Sequence, residues 1–280
     1  MVAKNPLMKT EGILLGCHRG DRTNFPENTL EAFRAAVELG LSAIETDVRC
    51  TKDGVLVLIH DRDVVRTTDG EGFVDEMTLA QIKALDAGSW KGEQFQGCRI
   101  PTVEEFLEYI APTDLIVNWE LKEWPIDHGE ERPFRTVDRL VELIEKYDMA
   151  QRSIINSFSE RVLEYVADKW PRKFMIHSYP FYKNPKDFAS RPLKTLSDWI
   201  VIWNKDEAHP AGFAEDYEYA LDNGLAPCIL VPDTEEAYRE AIELGCRMFT
   251  SDDPATAIQV LKGLGYRKTG NFYVQRGELI

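Results

Sequence analysis

No C-x-x-C pair occurs among the five cysteines of this sequence, Cys17, Cys50, Cys98, Cys228 and Cys246, which are odd in number and widely spread. That spacing excludes a disulfide framework and a thiolate zinc site, so all five are read as free thiols. A basic stripe is missing too. Only 33 Lys and Arg stand against 48 Asp and Glu, a formal charge of −15, which argues against nucleic acid and anionic membrane surfaces as partners. A small anionic substrate stays admissible where local cations receive it. No apolar run has the length of a bilayer span, and residues 1–12 are short and polar rather than signal-like. The expectation is a cytoplasmic protein without membrane insertion. Also absent are a Gly-rich nucleotide loop, a G-x-S-x-G elbow and a cysteine in a nucleophile context.

What is present suffices for one folded unit. With 280 residues, 44% hydrophobic and 29% charged, the chain can bury a full core as a single domain over 1–280. Its organising stretch is Ala43 to Asp61, where two strand-forming runs flank Lys52-Asp53-Gly54-Val55. Asp-Gly supplies the positive φ angles of a tight turn, so this is a β-hairpin. If Asp53 and Gly54 are its two loop residues, Lys52 faces Val55 and Asp47 lies directly across from His60. Glu45 then shares their face, and Ile44, Val48 and Ile59 take the other.

Around the hairpin, strand and helix alternate. Residues 13–18 form a short buried strand, and Asn28-Thr-Leu-Glu31 opens a helix with a capping-box arrangement. From Arg62 the chain turns polar and loop-like, with one helix starting at Thr78; this is an inserted subdomain over about 62–100. A further helix is capped at Thr102-Val-Glu-Glu105, and the strand 115–121 puts Asn118, Glu120 and Lys122 on one polar side. Residues 124–132 read as a long loop, followed by regular alternation up to a helix over 254–264; the tail from Tyr266 is ambiguous. Nine strand-like runs emerge. The one at 55–59 follows too short a turn to be parallel, which leaves eight strands followed by helices. Eight such units in about 250 residues plus an insertion make a (β/α)₈ TIM barrel with a small inserted subdomain.

In that fold the functional face lies at the C-terminal ends of the strands, where His18, Glu45, Asp47 and Glu120 all fall. Glu45, Asp47 and Glu120 are hard oxygen ligands suited to one divalent cation, Mg²⁺ or Ca²⁺; the competing reading makes them unrelated salt-bridge partners at strand ends. His18 and His60 provide one general base and one general acid. Arg19 and Lys122 add positive charge, with a guanidinium well shaped for phosphate oxygens; charge balancing is the alternative. His128, His177 and His209 are read as structural, as are Trp119, Trp199 and Trp203. Tyr179, Phe181 and Tyr182 either line a pocket or pack.

The ordered motifs His18-Arg19-Gly20, Pro26-Glu27-Asn28-Thr29, Glu45-Thr46-Asp47-Val48, Thr51-Lys52-Asp53-Gly54 and His60-Asp61 resemble those of the glycerophosphodiester phosphodiesterases. So do Arg66-Thr67-Thr68, Leu85-Asp86-Ala87-Gly88-Ser89-Trp90, Arg99-Ile100-Pro101-Thr102, Glu120-Leu121-Lys122 and Ser251-Asp252-Asp253-Pro254. The resemblance implies a barrel with a small insertion and a divalent cation on Glu45, Asp47 and Glu120. It also implies His18 and His60 as the acid/base pair, and Arg19 and Lys122 as phosphate contacts. The expected activity is metal-dependent hydrolysis of a small phosphodiester to glycerol 3-phosphate and an alcohol, with His60 as the acid. Alternatives are a phospholipase-D-like lyase on lysolipid, sphingolipid or sugar-phosphate diesters, and a non-catalytic glycerophosphate-binding protein. Leu230-Val231-Pro232-Asp233 stands where family members carry a Trp-Thr-Val-Asn-like strand end, so an aromatic pocket residue is missing there.

Overall fold

The computed structural model describes residues 12–180, 187–203, 209–232 and 234–275; Phe181, Tyr182 and Asp233 lie outside the described residues. The buried runs of the sequence become the strands β1 (Leu14–His18), β2 (Ala43–Cys50), β4 (Ile116–Leu121), β5 (Ser153–Asn156), β6 (Met175–Ser178), β7 (Trp199–Trp203), β8 (Ala226–Leu230) and β9 (Met248–Ser251). These eight pair in parallel, and β1 bonds both β2 and β9, which closes the sheet into the expected barrel. Helices cover the outside: α1 (Leu30–Glu38), α3 (Val103–Ile110), α5 (Glu131–Lys146), α6 (Glu160–Lys169), α7 (Ala214–Asp222), α8 (Glu235–Glu243) and α9 (Pro254–Gly263). The short α2 (Leu79–Ala84) belongs to the insertion. Thr78 and Thr102 head α2 and α3 with reciprocal capping boxes, as their sequences require.

Strand alternation sorts the side chains. Ile44 and Val48 point outward to the helices, in one cluster with Phe33, Phe106 and Trp119, whereas Ala43 joins Leu14, Ile116, Ile154, Met175, Trp199, Ala226 and Met248 in an apolar layer inside the barrel. The ambiguous tail resolves as a hairpin of β10 (Tyr266–Thr269) and β11 (Phe272–Gln275). Tyr273 bridges to Ile13 and Phe272 packs on the inner layer, so the tail closes the end of the barrel where β1 begins.

Three local expectations need correction. The organising hairpin turns through Lys52, Asp53 and Gly54, not through two residues: the Thr51 N–H donates to Val55 O at 2.9 Å, and Val48 faces Leu58 on β3 (Leu56–Leu58). Gly54 takes the left-handed φ of 83° that a three-residue loop demands. The Thr51 hydroxyl reinforces it, donating to Asp53 Oδ1 at 2.6 Å and accepting from the Val55 N–H at 3.0 Å. Ile59 therefore bonds Asp47 in place of His60, at 3.1 Å, and a one-residue slip exchanges faces. Val57 and Ile59 consequently pack with Val64, Val74, Ile82, Ala87 and Ile100 in a core belonging to the insertion. Second, α1 is capped by Thr29 rather than opened by a capping box at Asn28. Third, the loop after β4 is mostly helical, with α4 (Pro125–His128) starting on a proline and α5 beginning at Glu131.

Candidate functional site

Residues 45 and 47 share one face of β2 because strand side chains alternate, and the barrel turns that face inward. The pairing of β2 with β4 sets Asp47 beside Glu120. One ligand oxygen from each of Glu45, Asp47 and Glu120 lies within 4.8 Å of the others, and all three residues are buried. Each carboxylate has one oxygen satisfied. Glu45 Oε2 accepts from the Arg19 N–H at 3.1 Å, Asp47 Oδ2 from Asn28 Nδ2 at 2.7 Å, and Glu120 Oε2 from the Tyr179 hydroxyl at 3.3 Å. The other three oxygens, Glu45 Oε1, Asp47 Oδ1 and Glu120 Oε1, accept no hydrogen bond, although the Lys122 ammonium pairs electrostatically with the last two.

Electrostatics separates these acids. Burial and the neighbouring Asp47 and Glu120 push Glu45 well above the usual carboxylate range. For Asp47, burial works the same way but Lys122 and Arg19 outweigh it, keeping the group ionised. A cluster of buried hard oxygens, one of them pushed toward protonation by its neighbours, fits a hard divalent cation such as Mg²⁺ or Ca²⁺.

The cations enter from strand ends. Arg19 follows β1 in a left-handed conformation, φ 61°, which brings its guanidinium Nε to 3.2 Å from Asp47 Oδ2 and its Nη1 to 2.8 Å from Glu27 Oε1. Gly20, at φ 82°, completes that turn where a Cβ would sit 2.7 Å from the Ala32 Cβ of α1. Lys122, one residue past β4, is buried, and the pull of Glu120 and Asp47 overcomes desolvation to raise its pKa.

Both histidines are anchored through Nδ1. His18, the last residue of β1, has Nδ1 2.7 Å from Asp252 Oδ1, with Nε2 3.9 Å from Glu45 Oε2. His60 stands beyond β3; its carbonyl accepts from Arg49 Nε at 2.9 Å and its Nδ1 lies 2.6 Å from Asp61 Oδ1. Burial lowers the pKa of each imidazole, with Lys122 next in importance for His60. The hairpin register does not place His60 opposite Asp47, yet the loop beyond β3 returns it to where Lys122, Asp47 and Arg19 act on it. All seven residues named from the sequence, His18, Arg19, Glu45, Asp47, His60, Glu120 and Lys122, thus converge on one end of the barrel.

Sequence reasoning passed over several neighbours. Asn28, at φ 55°, bridges Asp47 and the Thr46 hydroxyl, a role that its place ahead of α1 in the Pro26-Glu27-Asn28-Thr29 motif does not reveal. An aromatic wall of Phe158, Tyr179 and Trp203 also went unassembled. Phe158 stacks on Tyr179 at 4.0 Å, Trp203 lies 5.8 Å from Tyr179, and the Lys122 ammonium sits 5.5 Å from the Phe158 ring. This wall stands at the mouth although β8 brings no aromatic of its own. His177 is buried in the barrel, its Nδ1 3.2 Å from Asn118 Nδ2, while His209 packs on Phe213. All five cysteines are free and buried. Among the described residues, no helix is long and apolar enough to cross a membrane.

Comparison with known proteins gives a consistent set of matches. Residues 18–210 match the model of the glycerophosphoryl diester phosphodiesterase family. A glycerophosphodiester phosphodiesterase of Caldanaerobacter subterraneus subsp. tengcongensis is 47% identical over 261 residues, 91% of this chain and 99% of that protein. Among solved structures, a phosphodiesterase from Oleispira antarctica, in complex with the product sn-glycerol-3-phosphate, superposes with a TM-score of 0.75 at 25% identity, covering 90% of this chain and 97% of that one. A glycerophosphodiester phosphodiesterase from Agrobacterium tumefaciens gives 0.69 at 26% identity, over 86% and 97% respectively.

Proposed function

Because the chain belongs to the glycerophosphoryl diester phosphodiesterase family, we propose that its barrel site hydrolyses a small glycerophosphodiester to glycerol 3-phosphate and an alcohol, with one Mg²⁺ or Ca²⁺ held by Glu45, Asp47 and Glu120. The observation that carries this reading is the pair of imidazoles, each tied at Nδ1 to an aspartate, beside three buried carboxylates whose ligand oxygens lie within 4.8 Å of one another. A carboxylate on Nδ1 selects the tautomer that leaves Nε2 for proton transfer. When bound, the cation supplies Lewis-acid neutralisation of a phosphate oxygen.

The chain's own groups do the rest. Arg19 and Lys122 face the diester anion and compensate charge as it grows on the equatorial oxygens. His18 removes the proton from the attacking oxygen. His60 returns one to the alkoxide as its bond to phosphorus breaks; a phosphate anion beside this imidazole raises its proton affinity, against the effect of burial. Attack by water yields glycerol 3-phosphate directly, whereas attack by the neighbouring glycerol hydroxyl yields a cyclic phosphate that water then opens. Both use the same proton transfers. The Phe158, Tyr179 and Trp203 wall offers an apolar surface to the glyceryl carbons.

The deciding measurement is release of glycerol 3-phosphate from glycerophosphocholine, glycerophosphoethanolamine and glycerophosphoinositol, in EDTA and with added Mg²⁺ or Ca²⁺, using His18→Ala as the blank. Cation-dependent release absent from the variant is expected. No release from any of the three sinks the proposed substrate class and redirects the search to sugar-phosphate and lysolipid diesters.

A further inference from the structure

His18 belongs to a barrel strand, so its position follows from the sheet. His60 does not: β3 ends at Leu58, and the His60 side chain is about a third exposed. What holds its imidazole is Asp61, and what holds Asp61 comes from the insertion. Arg66 Nε lies 2.5 Å from Asp61 Oδ2, the oxygen that His60 does not use. The same guanidinium turns its other two nitrogens to Glu27, Nη1 at 3.0 Å from Oε2 and Nη2 at 2.8 Å from Oε1. Glu27 is buried, and its carboxylate is fixed from behind by Arg19 Nη1 at 2.8 Å and Arg22 Nη2 at 3.4 Å. An ordered chain of ions therefore runs from His60 through Asp61, Arg66, Glu27 and Arg19 to Asp47.

Each link is charge-assisted, and Arg66 uses its fork in full. A half-buried loop carboxylate held only by His60 would otherwise be free to turn about χ1 and χ2, carrying the imidazole with it. We propose that Arg66 is a positioning residue for His60: by clamping Asp61 to the buried Glu27, it holds the His60 ring with Nδ1–H on Asp61 and Nε2 directed into the site. The inserted subdomain thereby acquires a catalytic purpose, since it supplies the clamp. The electrostatics agree. Burial opposes ionisation of Glu27, but Arg66 and Arg19 bring it down to about 2, and Arg66 and His60 likewise lower Asp61, so both carboxylates stay available as acceptors. The proposal rests on the reading of His60 as general acid.

The test is a double-mutant cycle of Arg66→Gln and His60→Ala, with Arg66→Lys as the conservative variant. Substrates are glycerophosphocholine, whose alkoxide needs a proton, and bis(p-nitrophenyl) phosphate, whose leaving group does not. Arg66→Gln should lower kcat on glycerophosphocholine by about 10- to 100-fold, within the range of general acid catalysis, with KM changed less than about twofold. The loss on the activated diester should be smaller, and Arg66→Lys, with no fork, should fall between. In the His60→Ala background, Arg66→Gln should cost less than about twofold more. Long-range ¹H–¹⁵N spectra should show His60 as one Nδ1–H tautomer in the parent protein and a mixture in Arg66→Gln, a readout independent of turnover. If Arg66→Gln costs the same factor with and without His60, or leaves the tautomer unmixed, the positioning role is overturned. If His60→Ala keeps parental turnover on glycerophosphocholine, the acid assignment fails and takes the clamp with it. Arg66 is 43% exposed, and the melting temperature of each variant separates loss of the clamp from loss of the fold.

Discussion

Asp252 Oδ1 lies 2.7 Å from His18 Nδ1, although 234 residues separate the two in the chain. They meet because β1 and β9 are neighbours in the closed barrel, with Cys17 paired to Ser251. Asp252→Asn keeps the shape but offers a weaker, neutral partner that no longer selects the Nδ1–H tautomer. Its kcat on glycerophosphocholine should drop by about 10²-fold or more, in the range general base catalysis contributes, with KM nearly unchanged. A rise in KM at constant kcat would show that Asp252 serves binding instead.

The carboxylate trio makes a prediction about metal removal. EDTA should abolish glycerol 3-phosphate release, and added Mg²⁺ or Ca²⁺ should restore it. Glu45→Gln and Asp47→Asn should lose activity while keeping the circular dichroism of the barrel. Added cation should also raise the melting temperature of the parent protein, because a ligand that binds only the folded state stabilises it, and should leave that of Asp47→Asn unmoved. Equal turnover in EDTA and in Mg²⁺ excludes the metal reading.

His177 predicts how stability depends on pH. Burial holds its imidazole at about 3, against an ordinary 6.5. Between these values the unfolded chain takes up a proton that the folded protein refuses, so stability is lost as pH falls from 6.5 toward 3 and is untouched by this group above 6.5. The slope is about 1.4 kcal/mol per pH unit well inside that window. Urea unfolding of His177→Gln should show a slope shallower by on the order of 1 kcal/mol per pH unit than that of the parent between pH 6 and 4. Parallel curves would contradict a neutral buried His177.

The outer core can be probed at Phe106, fully buried on α3. Its ring meets Phe33 edge-on at 4.6 Å and Trp119 at 5.5 Å, joining α1, α3 and β4. Phe106→Ala should cost about 3–5 kcal/mol from lost burial and the cavity left behind, measured by denaturant unfolding. A loss below 1 kcal/mol would mean that the helices collapse onto the gap.

What was legible before folding has a short range. The alternation of Ile44, Glu45, Asp47 and Val48 assigns inside and outside within a few residues, and the caps at Thr78 and Thr102 are complete within four. The repeat of strand and helix carries the barrel, and with it the end of the barrel where the seven candidate residues gather. The hairpin register is not legible locally, because a two-residue and a three-residue turn share the same Asp53-Gly54 signal; the choice is made by Thr51 and by the insertion, whose Met77 carbonyl accepts from the Lys52 N–H at 2.8 Å. The ambiguous tail shows the same limit, since its strands acquire an apolar partner only when Ile13 and the inner layer are in place.

The amino-acid order alone thus settled the architecture and the residue types brought to one end of the barrel, because periodicity, capping and residue type are local properties. The pairing of Asp252 with His18, the wall of Phe158, Tyr179 and Trp203, and the chain from His60 through Arg66 to Glu27 were decided by tertiary structure. Each joins residues from separate elements, and their hydrogen bonds and ring contacts require positions defined to within an ångström, which arise only once β1 has closed on β9.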